Sequence, residues 1–170
     1  ISTSPSHGAS PDVNEEVTKK GHQIVEMTCP DVKKVQQRAV ELAKEGYLVI
    51  IVGKPEHPEV VAINANAKCF GEEVYVVPDI ESVKKIEDKI KAHKRIGVVV
   101  QTTQRIEVLN EILNYLTTIS KEIKLYNTIC NSTQMRQKEA RDLAKVSDLV
   151  VVVGSKKSAN TTHLAENLKE

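Results

Sequence analysis

The chain has 170 residues, 40% of them apolar, so it can build ordinary hydrophobic cores in one large or two small folded units. Its 24 basic and 23 acidic residues leave a formal charge of +1, and four Tyr and one Phe offer little surface for base stacking. No apolar run approaches the roughly 20 residues of a membrane span, and no signal-peptide pattern opens the chain. These features predict a cytoplasmic protein that binds neither nucleic acid nor membrane.

Helical and strand patterns alternate along the chain. Apolar residues at helical spacing predict helices at 11–20, 31–45, from 58, at 80–92, around 106–116, at 133–146 and from about 159. Short apolar runs predict strands at 23–27, 48–52, 73–77, 96–100, 123–126 and 149–153. This alternation is typical of an α/β fold with parallel sheets.

Part of the chain repeats an earlier stretch without a gap. When Cys130 is aligned with Cys29, 101 positions earlier, Gly154 falls on Gly53 and the helix and strand between them also match. Two polar pairs align in the same register: His57 with Ser158, and Glu59 with Asn160. We interpret the repeat as two copies of one pseudo-symmetric lobe that share a scaffold and differ in their polar residues.

The predicted strands divide the chain into three parts. Residues 30–126 contain four strands and are expected to form one complete lobe with a parallel four-stranded sheet. Residues 1–29 would then be the tail of a first lobe, and residues 127–170 an incomplete third lobe. The sequence also begins without Met. We therefore expect a fragment of a longer protein.

Ligands of open parallel sheets bind beyond the carboxyl ends of the strands, an edge that we call the carboxyl rim. Polar residues that directly follow predicted strands are Cys29, His57, Glu59, Thr102, Thr103, Cys130, Ser155, Ser158 and Asn160. We expect four other residues to lie outside the site, since three precede strands and the last lies within a helix: His22, Cys69, His93 and His163.

Each rim residue also has a simpler interpretation. A cysteine before a helix often only fills a tight turn, although the helix N-terminus favours the thiolate that metal ligation requires. Ser158 and Asn160 could cap the last helix, and Glu59 could serve only the dipole of its own helix. Together, thiols, imidazoles, neutral donors and one carboxylate suit an iron–sulfur centre that faces a phosphorylated substrate. The glycine-rich phosphate loops of nucleotide-binding proteins do not occur.

Six motifs in order resemble one family across essentially the whole chain. They are the segments 6–10 (SHGAS), 28–30 (TCP), 57–60 (HPEV), 101–103 (QTT), 128–137 (TICNSTQMRQ) and 152–160 (VVGSKKSAN). This set resembles the LytB/IspH family of 4-hydroxy-3-methylbut-2-enyl diphosphate reductases. No single motif is specific, but their combination is.

The resemblance implies a trefoil of three α/β lobes around a [4Fe-4S] cluster, with one Cys from each lobe. It also implies the last step of the non-mevalonate isoprenoid pathway, in which an allylic alcohol diphosphate is reductively dehydroxylated to isopentenyl and dimethylallyl diphosphates. Ferredoxin or flavodoxin would donate the electrons.

Residue roles follow from the same resemblance. The cluster ligands would be Cys29 and Cys130. The diphosphate would be held by His7, His57, Ser158 and Asn160. Glu59, together with Thr103, would lie at the substrate hydroxyl and deliver protons; a carboxyl in a closed pocket should have the raised pKa that this role needs.

Three family features are absent from the sequence. The first cluster Cys, in a Gly-Phe-Cys context, is missing together with an upstream substrate-binding His, and so is the C-terminal part that carries a further Ser. Ala159 stands where many members have Ser. We therefore expect this polypeptide alone to be at best weakly active.

The sequence is also compatible with two other functions. The chain could be a non-catalytic phosphate-binding or redox-sensing module in which Cys29 and Cys130 form a reversible thiol pair. It could also be a structural α/β domain whose rim contacts other proteins.

Overall fold

The computed structural model describes residues 1–155 and 158–168. Within them the helices are α1 (Pro11–Lys19), α2 (Pro30–Lys44), α3 (Pro58–Lys68), α4 (Ile80–Lys84), α5 (Glu87–Ala92), α6 (Ile106–Ile119), α7 (Asn131–Ala144) and α8 (Ala159–Asn167). The strands are β1 (Ser2–Thr3), β2 (Ile24–Val25), β3 (Leu48–Val52), β4 (Val74–Val77), β5 (Arg95–Val100) and β6 (Glu122–Tyr126). None of the described helices combines the length and apolar character needed to cross a bilayer.

A four-stranded sheet in the order β4-β3-β5-β6 forms the centre of the molecule, and every neighbouring pair is parallel. Successive side chains of a strand point to opposite faces. On one face Leu48, Ile50 and Val52 pack with residues of α4, α5 and α6. On the other face Val49 and Ile51 pack with residues of α2 and α3. The predicted α/β class with a parallel sheet is therefore confirmed.

The close fit between α2 and the sheet depends on one glycine. Gly97 in β5 pairs with Val49 of β3, and the side chain of Leu42 from α2 lies directly above it. A Cβ atom at position 97 would come within 2.8 Å of Leu42 Cδ1. The missing side chain of Gly97 thus makes the room that the larger Leu42 fills.

The N-terminal residues form a small unit of their own. β1 and β2, which precede and follow α1 in the chain, pair in parallel. β2 covers only two residues of the predicted strand 23–27. The loop after β1 returns toward α2, because the backbone N–H of Cys29 donates a hydrogen bond to the carbonyl of Ser6 over 2.9 Å.

Two predicted elements are wrong in part. Residues 149–153 do not form a strand, and Leu149 and Val153 are 79% and 91% exposed. A strand needs a partner for its backbone hydrogen bonds, and none of the described strands pairs with this segment. The single helix predicted at 80–92 is divided into α4 and α5.

The internal repeat is visible in the helix boundaries. α2 and α7 begin at Pro30 and Asn131, and α3 and α8 begin at Pro58 and Ala159, so both pairs start 101 positions apart. The glycines match as well: a Cβ on Gly53 would approach Val60, and a Cβ on Gly154 would approach Thr161. In both copies glycine allows the following helix to pack closely on the loop.

Candidate active site

The turns after β3 and β5 lie side by side because these strands are neighbours in the sheet. The amide of Lys54 donates to Gln101 Oε1 over 3.0 Å, which joins the two turns directly. A Cβ on Gly53 would lie 2.9 Å from that same oxygen. Glycine at the end of β3 therefore lets the turn after β5 approach the start of α3.

Glu59 is the most buried acidic group of this region, with 2% of its surface exposed. Its two carboxylate oxygens accept hydrogen bonds from the amide and the hydroxyl of Thr102, each over 2.7 Å. Burial raises the pKa of Glu59, and the two bonds from Thr102 offset part of that rise. The carboxyl is thus fixed in place and holds its proton to a higher pH than an exposed glutamate.

Thr102, and not the neighbouring Thr103, is the direct partner of Glu59. The hydroxyl of Thr103 accepts a hydrogen bond from Gln101 Nε2 over 2.8 Å. Thr103 remains at the turn after β5, one residue away from the carboxylate contact. The sequence did not reveal which of the two adjacent hydroxyls faces Glu59.

His57 caps the N-terminus of α3, where its Nδ1 accepts a hydrogen bond from the amide of Glu59 over 3.2 Å. Because Nδ1 is the acceptor, the hydrogen of the neutral ring is on Nε2. Burial lowers the pKa of His57, and the positive charges of His7 and Lys54 act in the same direction. His57 therefore offers a neutral N–H donor.

His7 belongs to the loop that follows β1. Gly8 has a φ of 82°, a backbone conformation that favours glycine. The side chain of Gln36 from α2 lies against Gly8, so no larger residue fits there without a shift. The loop is therefore held on α2, next to Cys29.

The two predicted cysteine ligands occupy equivalent positions. Cys29 precedes α2 and is exposed, while Cys130 precedes α7 and its Sγ accepts a hydrogen bond from the amide of Thr133 over 3.3 Å. A cleft of about 180 Å³ is lined by Asp31 and Lys34 of α2 and by residues 127–132, including Cys130. The N-termini of α2 and α7 thus border one cleft.

Cys130 is also tied to the partner of Glu59. Its backbone amide donates to the carbonyl of Thr102 over 3.0 Å. The described residues contain no group of three or more His, Cys, Asp or Glu side chains placed to hold a metal ion. Two thiols at helix N-termini are the type of ligand that binds an iron–sulfur cluster, but they supply only part of the ligands that such a cluster needs.

Ser158 and Asn160 lie at the start of α8. Ser158 caps the helix by accepting a hydrogen bond from the amide of Thr161 over 3.4 Å. Asn160 Oδ1 lies 3.4 Å from the hydroxyl of Thr133, which in turn lies 2.9 Å from the sulfur of Cys130. The capping role is therefore present, and Thr133 links Asn160 to the cysteine. Lys156 of the same motif lies outside the described residues.

His163 was expected to lie outside the site, but it contacts one of the rim turns. It is 2% exposed, and its Nδ1 lies 2.6 Å from the backbone carbonyl of Thr103. Burial lowers the pKa of His163. The spacing of three residues from Asn160 was a usable signal, since it places both side chains on one helix face. The other three residues set aside with it remain unassigned: His22, Cys69 and His93.

The fold and the site define an α/β protein that brings thiols, imidazoles and a buried carboxyl together at the carboxyl rim of a parallel sheet. A family model described as LytB protein matches residues 2–170. The chain therefore belongs to the LytB family.

Named relatives support this membership. The chain is 38% identical over 166 residues to the 4-hydroxy-3-methylbut-2-enyl diphosphate reductase of Aquifex aeolicus (strain VF5). This match covers 97% of the chain and 56% of the relative. It is 42% identical over 161 residues to the enzyme of that name from Geotalea daltonii, in a match that covers 95% of this chain and 55% of the relative. The chain thus spans little more than half the length of these relatives.

Solved structures show the same similarity. A structure titled (E)-4-hydroxy-3-methyl-but-2-enyl diphosphate reductase, the terminal enzyme of the non-mevalonate pathway, superimposes with a TM-score of 0.74 at 36% identity, over 98% of this chain and 58% of the other. The E-1-hydroxy-2-methyl-but-2-enyl-4-diphosphate reductase of Plasmodium falciparum gives a TM-score of 0.86 at 27% identity, over 98% and 52%.

Proposed function

We propose that this chain is the central part of a 4-hydroxy-3-methylbut-2-enyl diphosphate reductase. The observation that carries the proposal is the buried Glu59 carboxyl, fixed by Thr102 at a rim that it shares with His57 and Cys130. In the reaction the allylic C–O bond breaks and two electrons enter. One proton leaves with the oxygen as water, and a second is added to carbon to give isopentenyl or dimethylallyl diphosphate.

The cofactor of this proposal is a [4Fe-4S] cluster, with Cys29 and Cys130 as two of its ligands. When bound, the cluster would supply the two electrons of the reduction one at a time. The equivalent placement of both thiols at helix N-termini supports these roles. A further Cys ligand would come from residues outside this chain.

The diphosphate would bind at the N-termini of α3 and α8, where helix dipoles favour anions. The proposed donors are His7, His57, Ser158 and Asn160. The neutral His57 ring can donate from Nε2, because its Nδ1 is already occupied by the amide of Glu59. Lys54 adds a positive charge close enough to lower the pKa of His57.

Glu59 would deliver the proton that leaves with water, and Thr103 would lie beside it at the substrate hydroxyl. A raised pKa keeps the carboxyl of Glu59 protonated at a pH where an exposed glutamate is ionised. Thr102 bonds to both oxygens of the Glu59 carboxyl group. The group is therefore held in the same orientation before and after it transfers its proton.

The electron donor in this proposal is a ferredoxin or flavodoxin, and the compartment is the cytoplasm. All three cysteines are free thiols, and two of them are exposed. Exposed thiols persist in a reducing compartment, which supports the proposed location in the cytoplasm.

Replacing Glu59 tests the proposal. In a polypeptide extended to the length of the relatives, Glu59→Gln should reduce turnover of the diphosphate substrate roughly 100-fold or more, because it removes the proton donor. Glu56→Gln is the matched control, since Glu56 is an exposed glutamate of the turn that precedes α3. Equal turnover by the Glu59 variant and the control would contradict the proposal.

A reversible thiol pair is the second candidate, favoured by the exposed thiol of Cys29. A thiol switch needs neither iron nor sulfide. Anaerobic reconstitution that yields no bound iron, together with a disulfide that forms under mild oxidation, would favour it over the reductase.

A further inference from the structure

His163 connects two parts of the molecule that have different roles in the proposed reaction. It lies on α8, three residues after Asn160, and its Nδ1 is 2.6 Å from the carbonyl of Thr103. The two residues are 60 positions apart in sequence. This contact therefore joins the helix that carries Ser158 and Asn160 to the turn that carries Thr102, the partner of Glu59.

The geometry defines the protonation of the ring. A backbone carbonyl only accepts hydrogen bonds, so Nδ1 of His163 must carry the hydrogen. Burial disfavours the imidazolium, and the positive charges of Lys54 and Arg105 act in the same direction. The hydrogen bond to the carbonyl of Thr103 is the second largest influence after burial and raises the pKa of His163, as does the carboxylate of Glu166 to a lesser extent, but burial prevails and the pKa is lowered. The ring is thus a neutral Nδ1–H donor enclosed by protein.

The contact is shorter than another link between α8 and the rest of the site. The oxygen–oxygen distance from Asn160 to Thr133 is 3.4 Å, at the long limit of hydrogen bonding. A buried hydrogen bond of 2.6 Å from a ring that is 2% exposed constrains the helix more tightly.

We infer that His163 is a positioning residue, which holds the N-terminus of α8 at a fixed place relative to the turn after β5. Through this contact the diphosphate donors Ser158 and Asn160 keep their position with respect to the proton donor Glu59. The inference rests on the proposed function for the roles of those three residues. The contact itself does not depend on that function.

Three variants separate the hydrogen bond from the bulk of the side chain. His163→Leu removes the N–H but fills most of the space, whereas His163→Asn retains an amide N–H near the position of Nδ1. His22→Leu is the matched control, since His22 is exposed and lies outside the site. Each variant of this chain is titrated with inorganic diphosphate by calorimetry, and amide hydrogen exchange is followed by NMR in 101–104 and 158–163.

Loss of the hydrogen bond should weaken diphosphate binding about tenfold in His163→Leu, which corresponds to roughly 1.4 kcal/mol. His163→Asn should recover most of the affinity, and His22→Leu should match the original chain. Hydrogen exchange should accelerate at both ends of the contact in His163→Leu only. In the original chain, nitrogen NMR should show the Nδ1–H tautomer of His163 with a slowly exchanging ring proton.

An Nε2–H tautomer in the original chain would overturn the inference even if no variant folds. Unchanged exchange and affinity in His163→Leu would overturn it as well. If the original chain binds no diphosphate, the proposed function fails for this chain, while the exchange data and the tautomer still decide whether His163 positions α8.

Discussion

At the scale of single residues, the buried carboxyl of Glu59 is retained at a cost in stability. An ionised carboxylate with 2% exposure loses most of its hydration, and the two hydrogen bonds of Thr102 offset part of that loss. Such an arrangement is typical of a functional group, because a neutral side chain of similar shape would pack there more favourably.

The pH dependence of stability provides a test of this cost. The pKa of Glu59 is raised above its ordinary value of 4.5 in the folded chain, so its contribution to stability is present below that value and is lost as pH rises through the folded pKa. Glu59→Gln does not titrate. We expect the original chain to lose stability relative to Glu59→Gln as the pH rises above 4.5, measured by urea unfolding. Parallel curves for the two proteins would contradict a raised pKa.

A second prediction separates the two adjacent threonines. Thr102→Val removes the hydroxyl that donates to Glu59 and keeps the amide. Because both bonds lower the pKa of Glu59, it should rise further in this variant, as measured by carbon NMR of the carboxyl group. Thr103→Val is the control and should leave that pKa unchanged, since its hydroxyl bonds to Gln101. The opposite result would make Thr103 the partner.

At the scale of elements, the repeated lobe explains why the polar residues fall where they do. The N-caps of the first repeated pair, α2 and α7, are both cysteines, Cys29 and Cys130, whereas those of the second pair, α3 and α8, are His57 and Ser158. A helix N-terminus presents unpaired N–H groups in every copy. The scaffold therefore keeps the positions constant, while the capping residue is the same in the first pair and differs in the second.

The packing of α2 on the sheet is tested by a double-mutant cycle. Gly97→Ala would place a Cβ within 2.8 Å of Leu42 Cδ1 and should destabilise the fold by about 1–3 kcal/mol. Leu42→Ala alone leaves a cavity and should cost about 2–5 kcal/mol. The double variant should cost less than the sum of the two, because the smaller residue relieves the clash. Additive costs, measured by urea unfolding, would exclude direct contact at this point.

The apolar segment 149–153 gives a prediction at the same scale. Its register in the repeat matches β3, yet Leu149 and Val153 are largely exposed in the described structure. In a polypeptide with the length of the relatives, we expect this segment to pair as a strand. Slower amide exchange in 149–153 of the longer form would confirm the pairing, and equal exchange in both forms would contradict it.

At the scale of the whole molecule, local chemistry determined what the sequence could predict. The strand at 48–52 was predicted with its observed bounds, since a continuous β-branched run between glycines suits only a strand covered on both faces. The starts of α3 and α8 followed from Pro58 and from the repeat. These features depend on neighbours in the chain.

Features that depend on distant neighbours were missed. Whether 149–153 becomes a strand depends on a pairing partner, and no local pattern supplies one. The choice of Thr102 over Thr103 depends on the direction of a single turn. His163 looked like an ordinary helix residue, because its partner Thr103 lies 60 positions away.

Cluster assembly is the most direct test of the account. The polypeptide would be extended to the length of the Aquifex aeolicus relative with that relative's flanking segments, reconstituted anaerobically with iron and sulfide, and assayed for bound iron and visible absorption. We expect the extended form to hold a brown cluster and to lose it in Cys29→Ser and Cys130→Ser, with Cys69→Ser unaffected. An extended form that binds no iron, or that keeps its cluster in both of the first two variants, would contradict the assignment of these cysteines and the reductase function built on them.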